Sequence, residues 1–117
     1  MQMSSSVRKT VRIINIAKEF SPFPAGRFES DGPNSGELFR EKILYPALQE
    51  AETLEIVLDG GEGYGSSFLD EAFGGLVRAK GMLPDELLAR IKFISRTDPS
   101  LIDEIQEYIR DAQKANK

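Results

Sequence analysis

The sequence predicts an α/β domain, a small mixed or parallel sheet of about four strands with helices packed on it. Two patterns carry this. Short aliphatic and β-branched runs, at residues 11–17 (VRIINIA), 54–58 (LEIVL) and 91–95 (IKFIS), are separated by stretches whose apolar residues recur at helical spacing. Such alternation makes strands joined by right-handed helical crossovers. A third observation is size: 117 residues with 40% hydrophobic content supply one core, hence one domain.

Taken in order, residues 1–8 are polar, serine-rich and unpatterned and are expected to be disordered. A single domain then spans residues 9–113. The first strand occupies 11–17, and 18–24 reads as a loop with Pro22 and Pro24. Residues 26–36 (GRFESDGPNSG) are dense in turn formers. Within them 27–30 fit a short edge strand, and Asp31-Gly32 a turn. Asn34 stands three residues before Glu37, as a capping pair would, and a helix follows from about Ser35 to Ala51. Its stripe is Phe39, Ile43, Ala47 and Ala51, with Leu48 beside it; Pro46 predicts a kink or break.

The second strand, 54–58, ends at Asp59. A second helix is expected over 67–80, with Phe68, Leu69, Ala72, Phe73, Leu76 and Val77 inward. Asp70, Glu71, Gly74 and Arg78 fall on its other side, read most simply as a solvated face, with a charged partner surface as the alternative. Gly81 is the expected C-cap. A short helix over 84–90 has proline in its first turn. After the third strand, Asp98 and Pro99 provide the N-cap and first position of a last helix, along which Leu101 or Ile102, Ile105, Tyr108, Ile109 and Ala112 repeat. Residues 114–117 are expected to fray.

Composition narrows the function. The net charge is −4 and no basic stripe stands out, which argues against nucleic acid and against an anionic membrane surface as partners. Cysteine is absent, so there are no disulfides or thiolate metal sites, as fits a reducing compartment. Histidine is absent too, which removes the commonest general base and the commonest metal ligand. With no signal-peptide pattern and no apolar run long enough to span a bilayer, the expectation is a cytoplasmic, non-catalytic protein without cofactor or metal.

The strongest local motif runs from Asp59 to Ser67, DGGEGYGSS. Its four glycines let the backbone turn sharply and deliver two hydroxyls to a helix N-terminus, where N–H groups are unpaired and the dipole is positive. The plain structural reading makes Ser67 an N-cap, with Asp70 completing a capping box. It accounts for neither Ser66 nor the run of glycines. A phosphate cradle fails on spacing: residue 66 is serine where G-x-G-x-x-G needs glycine, no lysine follows, and Asp59 and Glu62 repel phosphate. A phosphoacceptor Asp59 of the receiver type lacks the acidic pair that would hold magnesium after the first strand. The loop from Gly26 to Glu37 is the second candidate surface, with Arg27, Asp31, Asn34, Ser35 and Glu37. It is either an ordinary connection or a place where Ser35 and its neighbours bind an anion or a partner side chain.

A strand ending in Asp59, a turn, then Gly65-Ser66-Ser67 and an apolar helix resembles the STAS domain of bacterial anti-sigma factor antagonists. In that family an Asp-Ser-Ser-Gly loop starts the helix, and a histidine-kinase-like ATPase phosphorylates the second serine. Here Gly65 stands where that motif has aspartate and Phe68 where it has glycine. The sequence is closer to a STAS-like family of unknown function. The likeness lies in Gly26-Arg27-Phe28, Asp31-Gly32-Pro33, Ser35-Gly36-Glu37 and Phe39-Arg40. It continues in Leu58-Asp59-Gly60, Gly63 to Leu69 and Glu71 to Leu76, covering most of residues 26–78.

The resemblance implies a STAS-like fold and a regulatory protein–protein interaction module that pairs with a histidine-kinase-like ATPase. It makes Ser67 the phosphorylation candidate, with Ser66 beside it. Expected partner contacts are Gly65, Phe68, Asp59, Glu62 and Tyr64 on the turn, Arg27, Asp31, Ser35 and Glu37 on the earlier loop, and Asp70 and Glu71 on the helix. The two loops are expected to form one surface. The alternatives are a small-anion or nucleotide-binding domain using the glycine-rich turn, and a purely structural scaffold.

Overall fold

The computed structural model describes residues 10–115. The expected disorder of residues 1–8 and the end of the expected fraying tail lie outside these. Three strands, β1 (Val11–Asn15), β2 (Thr53–Val57) and β3 (Ile91–Ile94), form one parallel sheet in the order β1-β2-β3. The register aligns Ile14, Ile56 and Phe93 in one row, with Leu54 opposite Ile91 in the next. These five side chains are buried under the helices. The other face carries Ile13, Glu55 and Lys92 in register, and there Val11 and Ile13 stand exposed.

The expected fourth strand at residues 27–30 does not form. Asp31 Oδ2 accepts the N–H groups of Arg27 (3.1 Å) and Phe28 (2.9 Å), which curls the chain into a 3₁₀ turn at Glu29–Asp31. An aspartate that captures nearby amides offers the backbone an alternative to a ladder. The first strand also stops early. Asn15 Oδ1 accepts the Lys18 N–H and starts a short helix α1 (Ile16–Glu19), where a loop was expected.

Helix α2 occupies residues 36–50 as an α-helical turn, a π-helical segment (Arg40–Leu44) and a final α-helix (Tyr45–Glu50). Its N-cap is Ser35, not Asn34: Ser35 Oγ accepts the Leu38 N–H at 3.2 Å. Pro46 does not break the helix. The Tyr45 N–H reaches back five residues to the Arg40 carbonyl, a widened turn just before the proline. The extra residue in that turn also shifts the phase of the apolar stripe. Leu44 is fully buried after Phe39, whereas Ile43, the residue an unbroken α-helix would turn inward, only packs at the margin. Carbonyls at the end of α2 are satisfied by Arg90, which donates to Leu48 (2.7 Å), Ala51 (3.0 Å) and Glu52 (2.9 Å).

Helix α3 occupies residues 66–78, with a second π-helical segment, Asp70–Gly74, packed against the first. Its inward apolar residues are those expected, and all are buried. Gly81, at φ +71°, donates its N–H to the Val77 carbonyl (3.1 Å) and closes the helix as a left-handed cap. Helix α4 (Pro84–Arg90) leads into β3, and α5 (Ser100–Ala115) lies along α3 with Ile105, Ile109 and Ala112 buried. Asp98 Oδ1 accepts the Ser100 N–H at 3.2 Å, the expected cap. Among the described residues no helix is long and apolar enough to cross a membrane.

Candidate functional site

The stretch from Asp59 to Ser67 leaves the C-terminal end of β2, where open α/β sheets place ligands. Asp59 itself is already engaged. Its carboxylate accepts the N–H groups of Arg96 and Thr97 and the Thr97 hydroxyl, all at 2.9–3.0 Å. The backbone bond from Arg96, then that from Thr97, holds it below the usual aspartate range. It therefore ties the exit of β2 to that of β3. Gly60 (φ +99°) and Gly63 (φ +120°) carry the turn through backbone conformations open to glycine. Tyr64 is a strut: its hydroxyl donates to the Leu58 carbonyl at 2.9 Å, and burial pushes the phenol up to about 12. Its ring lies 6.0 Å from that of Phe68, which is fully buried among Phe20 and Phe39 and is core, not partner contact.

The two serines are placed differently from expectation. Helix α3 begins at Ser66, its N-cap is Gly65, and no side chain caps it. The Ser67–Asp70 capping box is absent because Asp70 is committed elsewhere. Both serines are exposed. Ser66 lies against the Tyr108 phenol of α5, which donates to Glu104. Ser67 does not cap the helix, and its side chain stands exposed.

Behind the serines, Asp70, Glu71 and Arg78 do not form a solvated face. Three arginines close around two carboxylates. Arg27 Nη1 reaches Asp70 (2.9 Å) and Glu71 (3.3 Å), and Arg78 reaches Asp70 (3.1 Å) and Glu71 (3.5 Å). Arg40 Nη1 donates to the Glu71 carboxylate (2.8 Å) and to the Glu71 carbonyl (2.7 Å). Arg40 and Glu71 are 4% and 8% exposed, so neither charge can be left alone without a large penalty. Arg40 escaped the sequence reading. A single-helix pattern assigns it to the outside, and only the neighbouring π-helical segment and the small Gly74-Gly75 pair let it in.

The earlier loop is bound to the turn through this network and through its backbone. The Glu62 N–H donates to the Pro22 carbonyl at 2.8 Å. Ser35 is buried, with its hydroxyl accepting the Leu38 N–H, so it is not a free anion site. The Glu37 carboxylate accepts the Glu29 N–H at 2.7 Å, and Asp31 folds its own turn. Ser35, Glu37, Asp70 and Glu71 thus brace the surface, while Arg27 and Asp31 both brace it and line it.

Two concavities result. One, about 310 Å³, sits at the ends of β2 and β3 beside Asp59, Ser95, Thr97 and Asp98. Its polar groups are largely spent on one another, Ser95 bonding the Asp98 backbone and Asp59 bonding Thr97. The other is an open groove of about 750 Å³ between residues 25–28, with Asp31, and Gly65-Ser66-Ser67. The two loops thus share one groove, with both serines on its wall. At its rim the exposed Phe28 was not singled out from sequence, nor was exposed Phe23 nearby in the chain. Neither belongs to a periodic apolar stripe, which was the available signal.

A family model described as a STAS-like domain of unknown function (DUF4325) matches residues 35–101. No curated protein and no solved structure matches the chain.

Proposed function

We propose, starting from the fact that the chain belongs to the family of STAS-like domains of unknown function, that it is a non-catalytic regulatory module which docks a partner protein at the serine groove and is switched by phosphorylation of Ser67. The observation that carries this reading is the groove itself: two exposed serine hydroxyls, released from capping, on the wall of a concavity built by two cross-braced loops. Ser67 is favoured over Ser66, which lies against the Tyr108 phenol that donates to Glu104. A phosphate adds about −1.5 to −2 charges and three acceptor oxygens. On Ser67 it would meet the positive end of α3, which stabilises it, and would fill the groove that a partner enters.

The partner class is a histidine-kinase-like ATPase, as in the STAS domains of anti-sigma factor antagonists. Incubation with ATP and such an ATPase, followed by intact-mass analysis, tests the assignment. The expected result is one added phosphate on the wild-type chain and none on Ser67→Ala. Equal labelling of the two proteins would overturn Ser67 as the site.

A further inference from the structure

The three strands step across the sheet in one direction, β1 to β2 to β3. Right-handed crossovers that step the same way carry their helices to the same face, so α2 and α3 both lie over Ile14, Leu54, Ile56, Ile91 and Phe93. Parallel sheets are as a rule covered on both faces. Here, among the described residues, the second face is left with Val11 and Ile13 at 55% and 60% exposure. In register beyond them stand Thr53, Glu55 and Val57 of β2 and Lys92 and Ile94 of β3. The open side of β1 is a poorer docking surface, because Glu19 blunts it: its Oε2 accepts the Asn15 N–H at 3.2 Å, and its Oε1 pairs with Arg12 at 2.7 Å.

Two properties of the open face fit it to an identical face. The first is shape. Ile13 projects from it, while Val11, Thr53, Glu55, Leu88 and Lys92 stand around a hollow of about 420 Å³ at the N-terminal ends of the strands. In an isologous contact the same patch serves both copies, so each projection meets the other's hollow. The second is charge. A face that meets its own copy brings every charge twice, and an unbalanced one repels itself. This face carries one carboxylate and one ammonium, Glu55 and Lys92, in direct register. Among the described residues neither is in an ion pair. Arg90, at the border of the hollow, is spent on the carbonyls of Leu48, Ala51 and Glu52.

We propose that this sheet face is a self-association surface, on which a second copy of the chain docks across a twofold axis, with Ile13 of each copy entering the hollow of the other and the charges of Glu55 and Lys92 balanced between the two faces. The inference is independent of the serine groove, which lies beyond the C-terminal end of β2. The face is small. Three strands of four to five residues span about 14 by 16 Å, short of the roughly 800 Å² per partner of a standard interface, so the dimer is weak and concentration-dependent.

Sedimentation equilibrium from about 10 µM to about 1 mM, the range a small interface calls for, tests this. A monomer–dimer equilibrium is expected. It should weaken roughly tenfold or more in Ile13→Arg, and likewise in Glu55→Lys and in Lys92→Glu, whose faces carry like charges. An equimolar mixture of the last two sets a basic face against an acidic one and should dimerise at least as well as the wild type. Phe28→Ser, in the groove, should change nothing. A wild-type chain that stays monomeric throughout, or a dimer indifferent to Ile13→Arg, overturns the proposal. So does a mixture no better associated than its two components, which would assign the face to a different protein.

Discussion

Gly75 lies where α3 passes the Arg40 guanidinium, and a methyl group added there would strike Arg40 Nη1. Two effects oppose each other at this position. Alanine in a helix interior is favoured over glycine by about 1 kcal/mol. Displacing Arg40 from Glu71 breaks a buried ion pair, at a cost of up to about 3–5 kcal/mol, with Arg27 and Arg78 left to hold the Glu71 carboxylate. The second effect is larger, so Gly75→Ala is expected to destabilise the fold by about 2–4 kcal/mol, read as a lower urea midpoint. A variant as stable as the wild type would show that Arg40 has another place to go. Residue identity alone could not reveal this pair. Arg40 and Glu71 are 31 positions apart, and each looks like an ordinary surface charge on its own helix. Ser66 and Ser67 were legible as a surface feature, because serine beside glycine at a helix start has few other uses. Phe68 was legible as an inward residue of its helix, and its full burial against Phe20 and Phe39 removes it from the expected partner contacts.

The helix starts show how local signals compete. Around α2 the sequence offers Asn34 and Ser35, and around α3 Gly65, Ser66 and Ser67, all residues that favour a helix start. Either register satisfies the local rule, and packing makes the choice. Burial of Ser35 under α3 selects it, whereas Asp70 is drawn to Arg27 and Arg78 and leaves Ser67 without a box. Opposite outcomes follow for the same substitution. Ser35→Ala should cost about 1–2 kcal/mol, since it removes a buried cap and strands the Leu38 N–H. Ser67→Ala should stay within about 0.5 kcal/mol of the wild type. Thermal melts of the two variants check this, and a large loss in Ser67→Ala would restore its capping role. The two π-helical segments were illegible for a related reason. Periodicity predicts Phe39 then Ile43, and one inserted residue turns Leu44 inward without leaving a mark on composition.

At the scale of the molecule, the alternation of strand runs and helical stretches was enough to give three strands and their order in the chain. The supposed fourth was lost to one aspartate that folded its own turn. Asp59 closes the top of the sheet and links stability to acidity. Its carboxyl is held below the ordinary range in the folded state, so its contribution is present above that range and is lost as pH falls through it. Wild type is therefore expected to melt higher than Asp59→Asn near neutral pH, with the gap narrowing as the solution becomes acidic. A gap that is constant with pH, measured by melting across a buffer series, would assign the effect to shape and not to charge. The spatial order β1-β2-β3 is also the order of synthesis. Each strand emerging from a ribosome finds the edge it must join already laid down by the one before. No strand has to be inserted between two that have already met, so the sheet can assemble vectorially, with α5 arriving last to close over α3.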